Sequence, residues 1–104
     1  MIQRGEIRWY RFSKPDKRRP VLVLTRDSAL EFLNEATIAP LTRSIRNIPS
    51  EVLLKSSDGV PQDSAINLDH IQTVSKARLG GLITTVGSST MNEVRKALTF
   101  ALGF

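Results

Sequence analysis

Apolar and polar positions alternate along this chain in short blocks of strand length. The longest unbroken apolar stretch, "PVLVLT" at 20–25, reads as a central strand covered on both faces. Pro20 is expected to open it, since the first residue of a strand can lack a paired N–H. Before it, "GEIRWYRF" (5–12) mixes polar and apolar residues, and its aromatics suit a strand. "SKPDKRR" (13–19) carries a Pro-Asp turn signal and reads as an exposed loop. "RDSALEFLNE" (26–35) predicts a short helix capped by Asp27 or Ser28, with Leu30 and Leu33 turned inward. "ATIAPLT" (36–42) reads as a strand ending near Pro40, "RSIRNIPS" (43–50) as a basic loop rich in turn residues, and "EVLLK" (51–55) as a further strand. A turn follows at "SSDGVPQD" (56–63), and then "SAINLDHIQTV" (64–74) threads polar groups through β-branched and apolar ones. "LGGLITTV" (79–86) is the last expected strand, its glycine pair marking a bulge or a close backbone approach.

The 3.6-residue period is clearest in "TMNEVRKALTFALGF" (90–104). Thr90 and Glu93 have the spacing of a capping box, Met91, Val94, Leu98, Ala101 and Leu102 share a face, and Gly103 stands where a helix stops. Short strands with a terminal helix predict a mostly β fold with some α: a small antiparallel barrel with a short internal helix and a C-terminal helix.

Composition narrows this picture. A chain of 104 residues fits one domain, residues 1–104, and 40% hydrophobic with 24% charged residues is ordinary for a folded protein. No apolar run is long enough to span a bilayer, and "MIQRGEIRWYRF" has no apolar signal core, so no membrane partner is expected. Without cysteine there are no disulfides or thiolate metal sites, and a cytoplasmic location fits. The net charge is +5, and its placement says more than its size. Arg4, Arg8, Arg11, Lys14, Lys17, Arg18 and Arg19 against Glu6 and Asp16 concentrate the whole excess in residues 1–19, which is a hint of nucleic acid.

The common catalytic motifs are absent: no phosphate-binding glycine loop, no H-E-x-x-H, no G-x-S-x-G. One histidine and scattered carboxylates make a transition-metal site improbable, and no cofactor is implied. An enzyme built from these residues would work without a metal or a protein nucleophile. RNA cleavage needs neither, because the substrate's own 2′-OH can attack the adjacent phosphorus. The protein must align the sugar, move protons and stabilise charge on the phosphoryl oxygens. An arginine fork suits the last task, and a threonine hydroxyl can donate to the same phosphate. That gives Arg19 of "RRP" and Thr42 of "PLT" a joint reading.

"RGEIRWYRF", "RRPVLVLTRD", "ATIAPLTRSIRNIPSEVLL" and "INLDHIQTVSKARL", in this order, resemble the MazF/PemK family of toxin endoribonucleases. The resemblance implies an SH3-like barrel forming a homodimer. It implies metal-independent, sequence-selective cleavage of single-stranded RNA to 2′,3′-cyclic phosphate and 5′-hydroxyl ends, and a cognate antitoxin that occupies the RNA groove. It implies Arg19 and Thr42 as the catalytic pair, with Asp69 in the place of the family's Asp. His70 stands where the family often has Gln, and Asn67 where some members have a catalytic Arg. The general base is left unassigned, since a guanidinium is a poor base. Lys14, Lys17, Arg18, Arg43, Ser44, Arg46, Ser64 and Asn67 are candidate RNA contacts. Asp69 reads as a buried, hydrogen-bonded structural residue or a proton carrier, and His70 as an RNA-facing or packing residue that can relay protons. Trp9 can stack on a base, although strand alternation makes it core. A gyrase-inhibiting toxin on the same barrel and a non-catalytic RNA-binding module are the alternatives.

Overall fold

The computed structural model describes residues 1–13 and 17–104; Lys14 and the Pro15–Asp16 turn signal lie outside the described residues. Strands β1 (Glu6–Arg11), β2 (Arg18–Val23), β3 (Glu35–Thr42), β4 (Glu51–Leu54), β5 (Ser64–Asn67), β6 (Gln72–Ser75) and β7 (Leu82–Thr85) form one sheet. The order is β4-β5-β3-β2-β1-β7, with β6 beside β3, and every described pairing is antiparallel. Helices α1 (Asp27–Leu30) and α2 (Ser88–Leu102) complete it. The sheet curls into a half-barrel whose two ends meet around Gly59. This residue follows β4, has φ +102°, and has so little space that an added Cβ would lie 2.7 Å from Thr84 Oγ1 of β7.

The apolar run at β2 is buried on both faces. Leu22 joins the main core with Ile7, Ala39, Leu41, Val52, Leu54, Ile66 and, from α2, Val94 and Ala97. Val21 turns the other way, to Tyr10, Ile38 and Val74, and Val23 packs with Leu30 and Ala36. This alternation explains why no polar residue interrupts the run.

Several expected boundaries shift. β2 begins at Arg18, so Arg18 and Arg19 belong to a strand rather than a loop, and Pro20 is its third residue. The hydrogen-bond alternation explains how. Phe12 N–H donates to Lys17 O, which makes Tyr10–Arg19 a bonded pair and turns the Pro20 nitrogen away from β1. On the other side Leu24 N–H donates to Thr37 O, so the bonded positions toward β3 fall at 24, 22 and 20. The next bond would need an N–H at Pro20, and the β2–β3 ladder stops at Val21–Pro40. β3 itself continues through Pro40 to Thr42, because β6 pairs with it only as far as Ile38 and β5 takes over at Leu41. Pro40 thus sits in a gap between two ladders, where no donor is required.

α1 is a single turn whose N-cap position is Arg26, not Asp27 or Ser28, and no side chain caps it; the Asp27 carboxylate instead accepts from Arg4 N–H at 2.7 Å. Leu33 lies beyond it and is 51% exposed. α2 starts two residues before Thr90, on Gly87, so the T-x-x-E spacing lies inside the helix and caps nothing. Met91, Val94, Leu98 and Ala101 do face the core, whereas Leu102 is exposed. Gly103 ends the helix at φ +80°, with Gly103 and Phe104 N–H returning to Phe100 and Thr99 carbonyls. Gly80 is the close approach expected of the glycine pair: its N–H donates to Trp9 O at 2.7 Å, and an added Cβ would lie 3.0 Å from that oxygen.

Pro20→Ala restores the missing donor. The expected outcome is a slowly exchanging amide at position 20, read by hydrogen exchange, as the β2–β3 ladder gains one pair. An amide there that exchanges at loop rates would show that proline is not what ends the ladder.

Candidate functional site

Where β3 leaves β2, the sheet opens a groove of about 340 Å³, within the size range of ligand sites. Its floor is an apolar row, Trp9, Pro20 and Leu41. Trp9 faces Pro20 across β1–β2, and the β2–β3 register carried one step past Val21–Pro40 sets Pro20 opposite Leu41. Arg19 precedes Pro20 on β2 and Thr42 follows Leu41 on β3, and both line the groove. One wall is Lys17, Arg18 and Arg19, the other Thr42, Arg43 and Ser44, and Pro61, Gln62 and Ser64 close the side.

Each wall is held locally. The Arg18 guanidinium lies 4.3 Å from the Trp9 ring centroid, and that of Arg19 lies 5.9 Å from Phe12. Thr42 Oγ1 accepts from Ser44 N–H at 3.1 Å, which leaves its hydroxyl proton available for an outside acceptor. Ser64 Oγ donates to Gln62 O at 2.9 Å. The loop bearing Pro61 and Gln62 is anchored by buried Val60 and by Ser56 N–H donating to Asp63 at 2.8 Å.

The N-terminal cations divide by role. Arg8 pairs with the largely buried Glu6 at 2.8 Å and donates to Gly80 O, and Arg4 donates to Leu24 O at 2.7 Å. Both are occupied in holding the β1 end of the fold. Lys17, Arg18, Arg19 and Arg43 carry the charge of the groove, and among the described residues its lining contains no carboxylate. The arrangement suits a polyanion threaded past an apolar floor.

Of the residues singled out in the sequence, the structure brings Lys17, Arg18, Arg19, Thr42, Arg43, Ser44 and Ser64 together here. It does not bring Arg46, Asn67, Asp69 or His70. The Arg46 backbone N–H is tied to Glu51 at 3.0 Å. Asn67 caps a single 3-10 turn, Leu68–His70, that separates β5 from β6 and packs beside α2. Its Oδ1 accepts from Asp69 N–H at 3.0 Å, and its Nδ2 lies 3.2 Å from His70 Nδ1. Asp69 is exposed rather than buried, and it accepts from the buried Ser50 hydroxyl at 2.6 Å. Trp9 is half-buried in the groove floor rather than in the core. Pro61 and Gln62 were missed altogether. Their turn-rich segment carries no signal of a site, and only the curl of the sheet brings it to the groove. Among the described residues, no group of three or more His, Asp or Glu is placed to hold a metal ion.

A family model described as PemK-like, MazF-like toxin of type II toxin-antitoxin system matches residues 3–102. Among relatives, "Probable endoribonuclease MazF5" of Mycobacterium tuberculosis (strain ATCC 25618 / H37Rv) is 40% identical over 100 residues, covering 95% of this chain and 91% of that protein. Among solved structures, "Mycobacterium tuberculosis toxin MazF-mt6" is similar with a TM-score of 0.87 at 30% identity, over 95% of this chain and 97% of that one. An "Endoribonuclease in complex with its cognate antitoxin from Mycobacterial species" is similar with a TM-score of 0.87 at 29% identity, over 100% and 97%.

Thr42→Val removes the hydroxyl and keeps the branched shape. Ser44 is exposed, so water takes over its N–H. Urea unfolding is expected to place the variant within about 1 kcal/mol of the parent. A larger loss would make Thr42 a structural hydroxyl.

Proposed function

This chain belongs to the PemK-like, MazF-like toxins of type II toxin–antitoxin systems, and from that premise we propose how its groove works. The protein is an RNA-cleaving toxin neutralised by an antitoxin. The groove is the RNA site, and the observation that carries this is Lys17, Arg18, Arg19 and Arg43 around an apolar floor, with Thr42 in the same lining.

Single-stranded RNA lies along the groove with one phosphate between Arg19 and Thr42. The 2′-OH of the preceding ribose attacks that phosphorus, and the bond to the 5′-oxygen of the next nucleotide breaks. The 2′ proton is lost, the 5′-oxygen gains one, and the products are a 2′,3′-cyclic phosphate and a 5′-hydroxyl. Charge grows on the non-bridging oxygens as phosphorus becomes five-coordinate. Arg19 meets it with a fork that stays protonated, and Thr42 adds a hydroxyl donor whose oxygen is already oriented by Ser44. These groups supply the positive charge themselves, so the reading needs no metal. Lys17, Arg18 and Arg43 hold the flanking phosphates. The same cations suit acidic side chains of an antitoxin segment, whose binding would exclude RNA by occupancy.

Residues 1–104 act in this reading as one MazF/PemK-like domain, paired as a homodimer, with a cytoplasmic site of action. Among the described residues no helix is long and apolar enough to cross a membrane. The names of the relatives favour RNA cleavage over gyrase inhibition or passive RNA binding.

Purified protein in EDTA is expected to cut a randomised single-stranded RNA pool, leaving 5′-hydroxyl ends. Arg19→Ala and Thr42→Val are each expected to lower kcat/KM, Arg19→Ala by about a hundredfold or more. Arg19→Lys keeps the charge and loses the fork, so it should not restore the parent rate. Cleavage that requires Mg²⁺, or 5′-phosphate ends, would overturn the mechanism.

A further inference from the structure

Trp9 is the chain's only tryptophan, and it lies in the groove floor with one face under the Arg18 guanidinium. The register explains the contact. Trp9 faces Pro20, and Arg18, two residues before Pro20 on the same face, is its diagonal neighbour. The Trp9 backbone is clamped on its other side. Its N–H donates to Gly81 O at 3.1 Å, and its carbonyl accepts from Gly80 N–H at 2.7 Å, where an added Cβ at Gly80 would lie 3.0 Å from that oxygen. Pro20 and Leu41 extend the apolar surface away from it. The indole is thus a fixed, half-buried aromatic plate in a groove otherwise walled by cations.

We propose that Trp9 and Arg18 form a nucleobase-stacking subsite. The inference rests on the reading of the groove as an RNA site and adds what holds the bases there. An unpaired base takes the place of the guanidinium on the indole, and Arg18 turns to a neighbouring phosphate. The exchange is favourable on both sides. A base stack on an aromatic plate is stronger than a cation over an exposed ring, and an arginine–phosphate pair is charge-assisted. Every base has a π-face, so the subsite sets where the strand sits and leaves base identity to other contacts. Trp9 is a positioning residue: it fixes which phosphate comes to rest between Arg19 and Thr42.

A single tryptophan at the subsite makes the test direct. The full-length protein is titrated with a randomised single-stranded 2′-deoxy oligonucleotide, which lacks the attacking hydroxyl, and with an abasic oligomer of the same length. Binding is followed by anisotropy of a label on the oligomer, and Trp9 emission is read in parallel. The expected result is strong, saturable quenching by the base-bearing pool and little by bound abasic oligomer. Equal quenching by both, or binding of bases without quenching, overturns the subsite. Trp9→Leu is expected to weaken binding about tenfold and raise KM for RNA cleavage to match, with Trp9→Phe recovering most of the loss. Leucine matching phenylalanine would also overturn it. If Trp9→Leu fails to fold by circular dichroism, the parent's two titrations decide alone. RNA cleavage by the parent separates the two ideas. Cleavage with base-independent emission removes the stacking subsite only, whereas a parent that neither cuts RNA nor binds either oligomer removes the RNA site with it.

Discussion

The absence of an N–H at Pro20 is the constraint on which the site depends. Antiparallel strands exchange hydrogen bonds at every second residue, and position 20 is where β2 owes one to β3. Because it cannot be made, the pairing ends at Val21–Pro40. β1 still holds β2 and β5 still holds β3, so each strand runs on with its other neighbour. The sheet opens between them without a frayed end on either side. Arg18, Arg19 and Thr42 on the lips of this cleft stand on strands of the same sheet. Arg19 lies two residues before Val21 on one lip and Thr42 two residues after Pro40 on the other, and both line the groove.

The chemistry assigned to the groove is of the kind such placement serves. A guanidinium and a hydroxyl contribute little as acids or bases, and their worth lies in where they stand before charge develops. Phe12 flanks one and Ser44 N–H orients the other. Arg8 on Glu6 and Arg4 on Leu24 form a second group that holds structure. The charge excess of residues 1–19 therefore has two causes, and only one of them concerns the ligand.

The parts of this protein legible in its sequence are those governed by neighbours along the chain. "PVLVL" announces a strand buried on both faces, "RRP" and "PLT" mark the lips of the groove, and Gly103 ends the last helix. What was not legible depends on contacts distant in sequence. The prolines looked like strand ends, yet both lie inside strands at positions where pairing partners change. Leu33 kept the spacing of an inner residue, but α1 is one turn long and never reaches it. Asn67, Asp69 and His70 looked chemically promising. Asn67 ends β5 and caps the 3-10 turn Leu68–His70 that holds Asp69 and His70, and this turn passes the chain from β5 to β6, both of which pair with β3. Trp9 alternated as a core residue should, and it falls where the core runs out and the groove begins.

The central claim is that Arg19 and Thr42, which line one groove, act together on one phosphoryl group. A double-mutant cycle on kcat/KM for RNA cleavage, using Arg19→Ala, Thr42→Val and the pair, tests it most directly. Two residues serving one transition state are expected to be strongly non-additive, with the double variant losing little more than the worse single variant. Losses that simply add would mean that the two side chains act independently, and would contradict the account.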